Sequence, residues 1–152
     1  MALSHNQRIT SLEASTGSAP ASNVAFRVGG GLTTNQLLTV GDVLNFSSVM
    51  LCYPPTAFNA TTKKFTVPVA GVYQFGYKLY QNSPDNNMRI SLNLNGVPVA
   101  ITGAKGDAAE NSTTIIECVV GDVIHVECLF GGGNIFMSSN HSWFYGHLLF
   151  KM

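Results

Sequence analysis

Phe58-Asn59-Ala60-Thr61-Thr62-Lys63-Lys64-Phe65-Thr66-Val67-Pro68-Val69-Ala70-Gly71-Val72-Tyr73-Gln74-Phe75-Gly76-Tyr77-Lys78-Leu79-Tyr80 decides the fold class. From Val72 onward the pattern has period two. Tyr73, Phe75, Tyr77 and Leu79 share one face and Gln74, Gly76 and Lys78 the other, as in a half-buried β-strand. Pro68 and Gly71 mark where that strand begins, because a missing backbone donor is tolerated at a strand entry and not in its middle.

The same rhythm extends in both directions. Arg89–Asn95 alternates with Ile90, Leu92 and Leu94 on one side, and Asn95-Gly96 follows as a tight turn, since both residue types tolerate positive φ. Ile116, Cys118 and Val120 precede Gly121-Asp122, and Ile124, Val126, Cys128 and Phe130 follow it, which reads as two partnered core strands joined by a hairpin. In that register Cys118 faces residue 124, about 13 Å along the strand from Cys128, too far for a disulfide. Cys52 is an open partner for either, and three cysteines leave at least one free. The Asp122 carboxylate is placed to accept hydrogen bonds from turn amides.

Trp143-Phe144-Tyr145-Gly146-His147-Leu148-Leu149-Phe150 is apolar on both faces, so it needs cover on both sides. The domain core supplies one, and the simplest second cover is a neighbouring subunit. No amphipathic helical period competes with the strands, which indicates a sandwich or jelly roll and excludes a helical enzyme.

At 152 residues the chain is one domain in size. Charged residues make up 11%, against about 25% in an ordinary soluble domain, which suggests that part of the surface is covered by partners. A formal net charge of +0 leaves no electrostatic footprint for nucleic acid or an anionic membrane. No apolar run approaches the roughly 20 residues of a membrane-spanning helix. Residues 1–22 are polar and small and read as a flexible leader or as the end of a stalk helix with Ile9 and Leu12 on its seam. The globular domain is expected over 23–152.

Chemistry-bearing patterns are few. His5, His125, His141 and His147 lack metal-ligand spacing, and His125 points away from the core face of its strand. There is no Gly-x-Ser-x-Gly elbow, and Gly29-Gly30-Gly31 and Gly131-Gly132-Gly133 read as flexible loops that cradle no phosphate. Asn-x-Ser/Thr sequons occur at Asn45, Asn59, Asn111 and Asn140. Stretches 82–88, 103–112 and 131–142 read as the ligand-bearing loops, with Asn86, Asn87, Ile135, Phe136 and Met137 as contact candidates.

From Val24 onward, dispersed motifs resemble the globular head of complement C1q. They are Ala25-Phe26, then Gly41 with Leu44 and Phe46, and the Phe58–Phe75 block, similar to that family's "Ft-P-GvYyF" string. Leu94-Asn95-Gly96, Gly121-Asp122 with Val126, and Phe144-Tyr145-Gly146-His147-Leu148-Leu149 follow in order. The resemblance implies an all-β, ten-stranded antiparallel jelly-roll sandwich shared with tumour necrosis factor. It also implies a compact homotrimer with the first and last strands near the threefold axis and no enzymatic activity. Phe26, Phe65, Tyr73, Phe75, Trp143, Phe144, Gly146, Leu148 and Phe150 are then the expected core and trimer-interface residues. Some members bind calcium near the apex, which makes Asp85, Asp107 and Glu110 candidate oxygen ligands; no other cofactor is implied. The expected role is a recognition head that binds a protein or glycan ligand through apical loops, outside the cell or on a virion or particle surface. A structural knob capping a fibre, stalk or particle, and a cytokine-like receptor ligand, are the alternatives.

Overall fold

The computed structural model describes residues 23–82, 87–105 and 109–152. Among them lie ten strands: β1 (Ala25–Leu38), β2 (Ser48–Tyr53), β3 (Phe58–Asn59), β4 (Lys64–Thr66), β5 (Gly71–Tyr80), β6 (Asn87–Leu94), β7 (Val97–Lys105), β8 (Ala109–Cys118), β9 (Val123–Phe130) and β10 (Gly133–Lys151). They form two antiparallel five-stranded sheets, ordered β2-β1-β10-β5-β8 and β3-β4-β9-β6-β7, which is a jelly-roll sandwich. The expected leader, residues 1–22, lies outside the described residues.

The alternation that set the reading is realised in β5: Tyr73, Phe75, Tyr77 and Leu79 are buried, and Gln74 and Lys78 are half-buried on the opposite face. Between the sheets the rings interlock, with Phe26 stacked on Phe65 at 4.4 Å and set edge-on to Phe144 at 4.8 Å. Each such ring removed from water contributes about 1.5–3 kcal/mol, so this cluster anchors the two sheets to each other. Gly146 lets its strand lie close against these rings: a Cβ there would run into Phe75 and Phe26.

Two turns share one construction. In Thr39-Val40-Gly41-Asp42 and in Val119-Val120-Gly121-Asp122 the glycine has φ of 90° and 93°. In each, the aspartate carboxylate accepts the amide of the first residue, at 2.7 Å and 2.8 Å. Two hydrogen bonds from Thr39, its amide first and its hydroxyl second, hold the Asp42 carboxyl below the usual aspartate range.

The pairing of β8 with β9 expected from the sequence does not occur. β8 pairs with β5, and β9 pairs with β4 and β6, so Val119–Asp122 carries the chain from one sheet to the other. A Val-Gly-Asp turn fits a hairpin or such a crossing equally well. Cys118 and Cys128 are therefore free thiols in opposite sheets, and Cys52 is also free.

One glycine run and one expected loop also depart from expectation. Gly29–Gly31 is strand rather than loop, and Gly30 is there because a Cβ would strike the Met137 backbone. The stretch 131–142 is likewise mostly β10 rather than a ligand loop. Ile135 and Met137 are fully buried in the core, and Phe136 is half-buried with its ring edge-on to His141 at 4.8 Å. Polar residues 138–142 interrupt the apolar pattern of that strand. They form an outward excursion held by Ser142, whose hydroxyl donates to the Phe136 carbonyl at 2.8 Å.

Candidate functional site

Two surfaces stand out, and the fold defines both. β1 enters and β10 leaves at the same end of the sandwich, where Leu148 donates its amide to the Val24 carbonyl at 2.9 Å. The outer face of β2-β1-β10-β5-β8 is the first surface. The opposite end is the second.

On the outer face, register places Leu51, Arg27, Tyr145, Gly76 and Thr113 in one row, and Tyr53, Ala25, His147, Gln74 and Ile115 in the next. Trp143 and Lys78 stand in the row above. Gly76 leaves space for the Tyr145 ring, whose hydroxyl lies 3.2 Å from Thr113 Oγ1. The indole of Trp143 is flanked by the Arg27 guanidinium at 5.2 Å and the Lys78 ammonium at 4.5 Å, two cation–π contacts. Neither cation has a carboxylate within ion-pair distance among the described residues. Arg27, Leu51, Trp143, Tyr145 and His147, with Ala25, Phe26 and Gly146 as floor, outline an open depression of about 440 Å³.

The register shift between Leu148 and Phe150 turns Phe150 outward as well, opposite Val72, and leaves it 60% exposed. Leu51 and Tyr53 are also more than half exposed. So much apolar surface on one sheet face is unusual for a lone domain and is characteristic of a contact surface.

The end opposite the termini gathers the 39–42 turn and the 131–132 turn with the last residue of β5 and the first residues of β6 and β8. Leu37, Val40 and Phe130 are exposed there at 69%, 63% and 56%. Backbone bonds hold this corner rigid: Gly41 donates to Cys128 at 2.8 Å and Cys128 donates to Asp42 at 2.9 Å. The sequence reading missed these three residues. The signal available was a valine in the centre of a Gly-Asp turn, which leaves an apolar side chain no core to enter.

The C1q domain family pattern matches residues 25–149. The chain belongs to the C1q domain family. That family is non-enzymatic, its heads typically trimerise, and they are usually secreted. Solved structures agree on the fold. Eiger TNF from S. frugiperda superimposes with a TM-score of 0.74 at 12% identity, covering 87% of this chain and 96% of that one. The globular domain of the zebrafish complement 1qA protein gives 0.67 at 18% identity, covering 85% and 99%. Rabbit GITRL gives 0.59 at 14% identity, covering 85% and 96%. No curated protein sequence matches the chain.

Against the C1q frame, the residues expected at core and interface divide cleanly. Phe26, Phe65, Tyr73, Phe75, Phe144 and Gly146 are buried between the sheets, and Leu148 packs against that core. Trp143 and Phe150 lie on the outer face. Of the expected ligand residues, Asn87 opens β6, exposed, at the end opposite the termini, whereas Ile135 and Met137 are core. Asn86 lies outside the described residues, as do Asp85 and Asp107, and Glu110 falls in β8. Among the described residues no three His, Cys, Asp or Glu side chains gather as a metal site, and no helix is long and apolar enough to cross a membrane.

A polar group on the other sheet was also not anticipated. Ser91, Asn93 and His125 are buried on the outer side of β6 and β9, where Glu127 Oε2 lies 3.0 Å from His125 Nε2 and accepts from Asn93 Nδ2 at 3.3 Å.

Proposed function

We propose that this chain is a homotrimeric recognition head that binds a protein or glycan ligand with the end of the sandwich opposite its termini. The observation that carries the reading is the outer face of β2-β1-β10-β5-β8, where Leu51, Tyr53, Trp143, Tyr145 and Phe150 present a broad apolar surface in a chain poor in charge. Packing three copies through that face removes this surface from water, at about 25 cal/mol per Å² of apolar area. It also points three identical ends, each with Leu37, Val40, Phe130 and Asn87, in one direction. Three weak contacts then act together on one target surface. The setting that suits such a head is outside the cell or on a particle surface.

Light scattering on the full chain across a dilution series tests the assembly. A mass near three times 16.2 kDa that survives dilution supports it, and a persistent monomer overturns it. Binding of the intact trimer to protein and glycan arrays tests recognition. Silence on both removes the ligand-binding role and leaves a structural knob in its place.

A further inference from the structure

A break in the register of β9 builds the apolar patch at the end opposite the termini. Buried Ile90 of β6 faces buried Cys128, but one residue earlier exposed Arg89 faces Phe130, so Leu129 is the extra residue of a bulge. The bulge carries Phe130 out of the core to the side of the sheet that bears Arg89, and leaves it more than half exposed. On the other flank of β9, Val43 pairs with Glu127, and Gly41 and Asp42 exchange backbone hydrogen bonds with Cys128. That antiparallel run, continued, brings Val40 alongside Phe130 on the side away from Arg89. Val40, Phe130 and Arg89 thus make one exposed row across three neighbouring segments, and Leu37 is exposed on the strand leading into the same turn.

The acids flanking this row are engaged within the domain. Glu127 is the diagonal neighbour of Arg89, at a backbone spacing of about 7–8 Å, and its Oε2 turns to His125 Nε2 at 3.0 Å and Asn93 Nδ2 at 3.3 Å. Asp42, beyond β9, accepts from the amide and the hydroxyl of Thr39 at 2.7 Å and 2.9 Å. Neither forms an ion pair with Arg89. We infer that the partner at this end is a protein whose contact surface sets apolar side chains beside a carboxylate, with Val40, Phe130 and Arg89 as the central contacts. This rests on the recognition reading above and names its partner. Protein interfaces concentrate aromatic and arginine side chains at their centres, where truncation costs most, and here the backbone beneath them is held by the bonds of Cys128. The free guanidinium has the planar donor fork that a carboxylate fits. A saccharide presents hydroxyl groups, which call for side-chain donors and acceptors that Val40 and Phe130 do not have.

The test places the labelled full chain on arrays of purified proteins and of glycans. The unmodified chain is compared with Val40→Ser, Phe130→Ser and Arg89→Glu, and with Val97→Ser, an exposed valine on the β6–β7 hairpin. Circular dichroism and sedimentation on each sample establish that fold and mass are unchanged; these side chains are exposed, so the core is untouched. The expected result is binding to particular proteins and none to glycans, weakened roughly tenfold or more by Phe130→Ser and by Arg89→Glu and unaltered by Val97→Ser. Glycan binding that the same variants abolish overturns the inference and leaves recognition at this end standing. Protein binding indifferent to Val40→Ser, Phe130→Ser and Arg89→Glu overturns both the inference and the placing of recognition at this end. Protein binding that falls with Phe130→Ser and not with Arg89→Glu overturns the acidic partner. Silence on both arrays removes the recognition reading and the inference with it.

Discussion

Asn95 donates through Nδ2 to the Asp122 carboxylate at 2.8 Å, while its own Oδ1 accepts the Val123 amide at 2.9 Å. One side chain thus ties the β6–β7 hairpin to the crossing between the sheets. Its φ of 53° adds a backbone role, because an L-residue without a short polar side chain is strained there. Asn95→Gly should lose only the tie, about 1 kcal/mol, whereas Asn95→Ala should lose the tie and add strain, about 2 kcal/mol in all. Paired urea denaturation curves distinguish them, and equal losses would remove the backbone part of this account.

Gly146→Ala should destabilise the domain by about 1–3 kcal/mol, because the new methyl group meets the rings of Phe75 and Phe26 in a packed core. A melting temperature unchanged within a degree would mean that those rings give way without cost.

Burial pushes the Cys118 thiol up to about 11 and raises that of Cys128, and both are fully buried, whereas Cys52 is half-buried. A thiol reagent at pH 7.5 should label Cys52 alone in the folded protein and all three cysteines in denaturant. Mass spectrometry after brief labelling reads the count, and fast native labelling of Cys118 would contradict its burial.

Alkali should unfold the domain for a related reason. The Tyr73 phenol is pushed up to about 12 from an ordinary 10.0, chiefly by burial and then by the neighbouring Cys118 thiol. For Cys118 the ordinary value is 9.0. Both groups hold their protons more tightly when folded, so their contribution is complete below about pH 9 and lost as pH rises through 11 to 12. Tyr73→Phe should resist alkali better while losing about 1 kcal/mol at pH 7, because its hydroxyl donates to the Val69 carbonyl at 2.6 Å. A pH titration of ellipticity on both proteins decides.

Phe150→Asp should abolish assembly and spare the fold. The side chain is exposed in the monomer, so a carboxylate there stays solvated until another copy approaches. Sedimentation showing an intact trimer would place Phe150 outside the contact.

The half-buried strands were legible because burial on one face imposes period two: β5 shows it fully, and Ile90 and Leu92 of β6 follow. Asn95-Gly96 was legible for a backbone reason, and both residues do have positive φ. Which strand pairs with which was not, since a Val-Gly-Asp turn serves a hairpin or a crossing between sheets alike, and long-range packing selects the partner. The upper half of β10 was hidden by the polar run 138–142, although Ile135 and Met137 keep the alternation of a core strand. Ser91 and Asn93 alternate with the apolar residues of β6, and only the three-dimensional neighbourhood of His125 and Glu127 accounts for their burial.

For the surfaces, the doubly apolar stretch of Trp143 to Phe150 pointed to the outer face. The placement of Arg27 and Lys78 on either side of Trp143 depended on the register of three strands and had no sequence signal.

The hydrogen bond from Leu148 to Val24 brings the ends of the domain side by side, with Met152 only about 13 Å further along its strand. From Val24 to Met152 the path of the chain is therefore almost a closed ring. A short glycine-serine bridge joining the old ends, with new ends cut between Asn95 and Gly96, should yield a circularly permuted protein with the same sandwich.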